Sequence, residues 1–246
     1  MLKFFRTIRK KLIEEDNVRK YLLYAVGEIL LVVIGILLAL QVNNWNELRK
    51  ERNQEVKILR EIRNDLKSNY VEIEDIHLSI EQKLSDTNTL LSLIEQEQFT
   101  LQQDTLLNVY DDFETGIFNS ANTGYQFLRS NGLGIIRNDS LRILITEMYE
   151  REFRNIHKRE DIQFQLYENI INPFVHTYLN LVESQTEYKM YFTPKEGFDL
   201  NYSREAVNAL KEIRFLLQGR SKFQQTTLDA LQDLIGAINQ EIKRLS

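Results

Sequence analysis

Cysteine is absent from all 246 residues, which removes disulfides, thiolate catalysis and cysteine-type zinc sites together. Proline occurs twice, at Pro173 and Pro194, and glycine nine times. A sheet protein needs a turn roughly every ten residues, so such sparse punctuation predicts long helices instead. Charged residues make up 27% of the chain, and its runs are rich in Leu, Ile, Glu, Lys and Gln. The fold class this predicts is all-α.

Residues that carry chemistry are also scarce. Three histidines occur, His77, His157 and His176, none of them in an HExxH pattern. His157 and Glu160 lie one helical turn apart, in the reverse order of a diiron Glu-x-x-His unit and without a second copy, which reads as a surface hydrogen-bond pair. Asp111, Asp112 and Glu114 lack the alternating ligands and central glycine of a calcium loop. The Gly132-Leu133-Gly134 turn lacks the Lys-Ser/Thr of a phosphate loop, and no serine sits in a Gly-x-Ser-x-Gly elbow. These residues support no catalytic, cofactor or metal assignment, and the expectation is a protein that is not an enzyme and needs no cofactor.

Charge is distributed unevenly. The first twenty residues hold seven basic and three acidic side chains, so that end carries +4 and the remainder −9 of the net −5. An acidic body argues against nucleic acid as a partner, because phosphate binding needs a basic surface. The basic end matches a membrane surface instead. There Phe4, Phe5, Ile8 and Leu12 recur at helical spacing, as in an amphipathic helix lying among headgroups, although a basic tail without fixed structure fits them too.

What the sequence does have is one long apolar run. Tyr21–Val42 reads YLLYAVGEILLVVIGILLALQV, with no polar residue between Ile29 and Leu40. As a helix these residues rise about 33 Å, enough for a hydrocarbon layer of about 30 Å. The run ends Leu38-Ala39-Leu40-Gln41, without a small-x-small cleavage site, so it reads as an uncleaved signal anchor. Seven Lys and Arg residues precede it and five follow at similar range, a bias that places the N-terminus in the cytoplasm and the body in the periplasm. Inside the span Glu28, Val32, Gly35 and Ala39 share one helical face, with Gly35 and Ala39 forming a small-xxx-small pair. That face is a candidate interface with another transmembrane helix, bonded through Glu28; alternatively Glu28 reaches the headgroups or takes up a proton.

The stretch KYLLYAVGEILLVVIGILLALQVNNWNE, Lys20 to Glu47, resembles the N-terminal signature of a bacterial family of uncharacterised single-pass inner-membrane proteins. Tyr125–Arg142, YQFLRSNGLGIIRNDSLR, is a weaker second match. The resemblance implies a Gram-negative inner-membrane setting and adds no chemistry. Asn43, Asn44, Trp45 and Asn46 then fall where an interfacial collar belongs.

Beyond the collar no break signal occurs before about Gln96. With Leu59 at a heptad a position, Leu66, Ile73, Ile80, Thr87 and Ile94 follow at a, and Ile62, Asn69, Ile76, Lys83 and Leu90 fall at d. A second seam runs Leu228, Leu231, Ile235, Ile238, Ile242, Leu245. Burying the two against each other predicts an antiparallel bundle. Further helices are expected near 104–114, 120–131, 139–171, 173–183 and 203–218, with Gly132 as a stop and Asn138 or Asp139 as a cap. Ser184–Asn201 shows no periodicity, and its Tyr188, Tyr191, Phe192 and Phe198 are either a recognition loop or packing groups. The expected organisation is 1–20 basic segment, 21–42 transmembrane helix, 43–97 collar and heptad helix, and 98–246 the remaining bundle.

Anchor, seams and missing chemistry together point to a membrane-anchored interaction protein whose partners are the bilayer and a protein, either another chain or a second copy. The reading from a different class is a periplasmic ligand-sensing helical module that acts through a membrane partner.

Overall fold

The computed structural model describes residues 18–100, 116–183 and 190–246. Helix α1, Val18–Glu95, is 78 residues long. The chain divides into two compact units between Gln54 and Glu55. In the first, every described side chain from Ile29 to Gln54 is exposed. This is the one helix among the described residues long and apolar enough to cross a membrane.

The second unit is built on the heptad. Leu59, Ile62, Leu66, Ile73, Ile76, Ile80, Leu90 and Ile94 are all buried, as are the polar members Asn69 and Thr87. Lys83 alone is half-exposed. Helix α1 ends where Glu97 turns to φ 54° and Gln98 N–H bonds back to Leu93 O at 2.9 Å.

From Gly116 the chain runs back along α1, held by a row of α1 side chains rather than by a helix of its own. Glu72 Oε1 accepts Asn119 N–H at 2.8 Å, Asn69 exchanges two bonds with the Ala121 backbone, and Asp65 Oδ2 accepts Gly124 N–H at 2.7 Å. Helix α2, Thr123–Asn131, therefore has its first turn capped from α1; its own Asn122 makes no side-chain cap bond. It stops at Gly132, φ 105°, as the sequence predicts. Glu55 then accepts Arg137 N–H at 2.9 Å.

The next helical stretch begins with Asn138 capping Leu141 N–H. It comprises α3 (Asp139–Glu147), a wide π-type turn Met148–Glu152, α4 (Phe153–Leu166), a second wide turn Tyr167–Ile171, and α5 (Asn172–Tyr178). The first wide turn has a sequence cause. Buried Leu141, Ile145 and Met148 step by four and three, but the next core residue, Phe153, lies five on. One extra residue in the turn keeps the apolar face in phase. The second precedes Pro173, whose missing N–H and ring cannot be fitted into a regular helical turn. The helix continues through a point where the sequence suggested a break.

The expected helix 173–183 needs correction. It stops at Tyr178, and Leu179–Glu183 is strand β1, paired antiparallel with β2, Met190–Pro194, in the register Leu181 opposite Phe192. Five residues are too few to reveal a period, and a hairpin depends on a partner that sequence order does not name. The aperiodic stretch is thus in part a strand. The expected helix 104–114 lies outside the described residues.

Helix α6, Arg204–Leu245, is one 42-residue element capped by Ser203, where the sequence suggested 203–218 followed by a separate seam. Arg63 donates to Asn239 Oδ1 and Ser221 Oγ to Glu81 Oε1. Eighteen residues forward on α1 thus correspond to eighteen backward on α6, so the two seams are buried antiparallel. The fold is all-α but for the hairpin.

Gly124 marks the tightest contact. A Cβ there would stand 2.7 Å from the backbone nitrogen of Ile62 and 3.0 Å from the backbone carbon of Glu61, so neither can yield without moving α1. Gly124→Ala is expected to destabilise by about 1–3 kcal/mol. Gly219→Ala, on the open face of α6 with nothing within 4 Å, should instead stabilise by about 1 kcal/mol. Denaturant unfolding of both variants checks the contrast.

Candidate functional site

A buried polar cluster interrupts the apolar core where three segments meet. Arg220 from α6 is only 7% exposed. It donates through Nη1 to Gln163 Oε1 on α4, and through Nη2 to the Gly116 carbonyl at 2.9 Å. Glu160 Oε1 lies 3.6 Å from Nη2 and accepts Phe118 N–H at 2.9 Å. Its Oε2 meets His157 Nδ1 at 3.1 Å. Phe118, fully buried, stacks against His157 and sets its ring edge to Phe153. Burial pulls the Arg220 guanidinium below its usual range, and Glu160 opposes that pull. It stays charged, as a guanidinium does even when desolvated.

The sequence pair His157–Glu160 is therefore a bond the structure contains, but it is not confined to the surface. The Glu160 side chain is 11% exposed and faces inward. Neither the pairing of Arg220 with Glu160 nor its bond to Gln163 is legible in the sequence. Arg220 and Gln163 sit 57 residues apart, and each reads locally as an ordinary polar residue of an amphipathic helix.

A second cluster lies beside α2. The rings of Tyr125 and Tyr149 stack at 4.5 Å, and Tyr125 donates to Glu150, which also pairs with Arg129 and Arg154. Burial raises the pKa of both tyrosines, that of Tyr149 the more strongly. A third involves Glu241, which takes Arg244 and Asn138 as donors; the Arg244 bond holds its carboxyl below the usual range. Among the described residues no group of three or more His, Asp or Glu side chains is placed to hold a metal ion.

The residues singled out in the sequence lie apart from these clusters. Val32, Gly35 and Ala39 are exposed on α1, Glu28 half-exposed, and a Cβ at Gly35 would meet nothing within 4 Å. Their shared face is thus uncovered by the rest of the described first unit. Asn43 donates to Glu47 one turn on, Trp45 is 65% exposed, and Asn44 and Asn46 are exposed. Tyr188 lies outside the described residues. Tyr191 and Phe192 are described through their backbone in β2, opposite Val182 and Leu181. Phe198 is half-buried, stacked on Tyr178 at 4.6 Å and edge-on to Phe174, so it serves packing.

The profile of a family of unknown function (DUF6090) matches residues 28–182, more than half of the chain. No curated protein and no solved structure matches.

Arg220→Ala would leave Gln163 Oε1 and the Gly116 carbonyl without this donor and Glu160 without its counter-charge, and removing one member of a buried pair costs about 3 kcal/mol. The melting midpoint should fall by about 6–12 °C for a body of this size. Adding Glu160→Leu to Arg220→Met removes the stranded charge and should recover part of the loss, the remainder reflecting Phe118 N–H and the Gly116 carbonyl left without partners, as thermal unfolding of Arg220→Ala and the double variant will measure.

Proposed function

The chain belongs to the family of unknown function (DUF6090), and from that premise we propose that it is a single-pass, membrane-anchored interaction protein of the bacterial envelope. Its N-terminus is cytoplasmic, its helical body periplasmic, and its activity is to bind a protein partner or a second copy rather than to catalyse a reaction.

One observation carries the anchoring half of this reading. Helix α1 leaves Ile29–Leu40 wholly exposed to the surroundings, twelve residues of which ten are Leu, Ile or Val. At about 0.3–0.6 kcal/mol gained per such residue on insertion, they contribute roughly 3–6 kcal/mol. On the same scale a carboxylate at the bilayer centre costs about 2.5–3.5 kcal/mol, and Glu28 opposes insertion by less than that because it lies nearer one end. The apolar term wins. In water the same surface would be a large exposed patch of the kind that monomeric soluble proteins avoid.

The interaction half rests on the face Glu28, Val32, Gly35 and Ala39, where Gly35 leaves room for a second helix backbone. Orientation rests on the Lys and Arg bias across the span.

Protease treatment of right-side-out spheroplasts, followed by crosslinking of the full chain, tests the proposal. The expected result is cleavage of the body from outside, a protected anchor fragment, and a crosslinked species containing a second copy or one defined partner. A protected body would reverse the orientation, and release by alkaline carbonate would remove the anchor. Glu28→Leu should insert as well or better and lose about 1 kcal/mol of transmembrane association, a several-fold weaker dimer in detergent. An unchanged oligomer size would take Glu28 out of the interface.

A further inference from the structure

Beside the buried Arg220 cluster, helices α4 and α6 do not close on each other. They leave a cavity of about 80 Å³, where a single enclosed water needs about 10–15 Å³, so there is room for roughly six non-hydrogen atoms. The lining divides by character. Leu166, Ile213 and Leu217 give it apolar walls, and Gln163, Arg220 and Arg159 supply the polar groups. Two cations and no carboxylate line it among the described residues. Glu160, the counter-charge of Arg220, lies outside that lining at 3.6 Å and is already engaged by Phe118 N–H and His157.

The two arginines differ in how they are held. Arg220 is fixed by Gln163 and the Gly116 carbonyl, so its charge is preorganised. Arg159 is exposed and lies over the Phe223 ring at 4.4 Å, a position from which it can turn toward a bound anion. Outward the cavity shares Ile162, Leu166 and Leu216 with a shallow trough of about 700 Å³, in which Phe215 is 74% exposed. The trough is of mixed character, with Lys211 and Glu212 beside Ile170 and Phe215, so selection rests on the cavity itself, whose cationic end and apolar walls suit a ligand with an anionic head and a short aliphatic body.

The geometry points to a binding site for a small aliphatic carboxylate between α4 and α6, with Arg220 and Arg159 taking the carboxylate and Leu166, Ile213 and Leu217 its hydrocarbon. This site is independent of the anchor and of any protein partner. Its failure would leave the proposed function standing, and a failure of the anchoring reading would leave this site standing.

The probe is butanoate, six non-hydrogen atoms, titrated calorimetrically into the full chain in lipid nanodiscs, with empty nanodiscs as the blank and butanamide as the uncharged isostere. The expected result is saturable binding of the carboxylate that weakens with salt, and at least ten-fold weaker binding of the amide. Arg159→Gln, at an exposed position that leaves the core intact, should weaken the carboxylate about five-fold and leave the amide unchanged. Leu217→Trp should abolish binding of both, with its melting curve confirming that the chain is folded. Absence of saturable heat with the carboxylate, or equal binding of carboxylate and amide, overturns the proposal. So does an Arg159→Gln variant that binds the carboxylate as the parent does.

Discussion

Asn69 occupies a position that the heptad of α1 reserves for an apolar side chain, and it is completely buried there. A carboxamide in that place without partners would cost about 1–3 kcal/mol. Instead it donates to the Ala121 carbonyl at 2.8 Å and accepts the Ala121 N–H at 2.6 Å, standing in for the partner that a strand or helix would have provided. Residues 116–122 have no regular structure of their own, so their backbone groups must be satisfied from outside. Glu72 and Asn69 do this for that segment, and further along α1 Asp65 meets Gly124 N–H in the first turn of α2 and Glu55 meets Arg137 N–H beyond its end. The rest of the second unit depends on that row. It sets the height of α2, hence of Asn138, and so the register in which the stretch 139–178 meets α6.

The same logic recurs at the far side of the core. Gly116 and Phe118 lie at the start of the docked segment, and their backbone groups are met by Arg220 and Glu160 from two different helices. A buried ion pair contributes little net stability, because desolvating both charges offsets most of their attraction. What it does supply is a single allowed register. Any axial slip of α4 past α6 would separate Gln163 and Glu160 from Arg220 and strand charges in an apolar interior. The small cavity between these helices follows from this constraint: α4 and α6 are held at the spacing the polar groups require, and the Leu and Ile residues next to them do not fill it.

Legibility in the sequence varied with the range of the interaction responsible. The seam of α1 could be read because its period is local, and all but one of its a and d positions are buried. The cap at Asn138 and the stop at Gly132 are equally local, whereas Ser203, which caps α6, carries no stronger signal than many serines. The strand Leu179–Glu183 was read as helix because neither its brevity nor its composition distinguishes it, and its partner begins only after Tyr188. Asn69 stands out locally as a polar residue at a d position, but what it holds is a segment 52 residues away. Gly124 gave no signal at all: its requirement comes from the Ile62 backbone on another helix.

The sequence by itself determined that this is a predominantly helical chain with one apolar run long enough to span a bilayer, a heptad core helix and an acidic body. These follow from composition and from periods of three to four residues, which each helix expresses whatever surrounds it. Only the tertiary structure decided that the polar residues of α1 serve as backbone partners for the returning chain, that His157 and Glu160 belong to a buried cluster around Arg220, and that α4 and α6 leave a cationic cavity between them. The reason is the same in each case. A hydrogen bond or a close approach between residues 47 to 104 positions apart is a property of the packed chain, and the side chains that make it look ordinary until the packing brings them together.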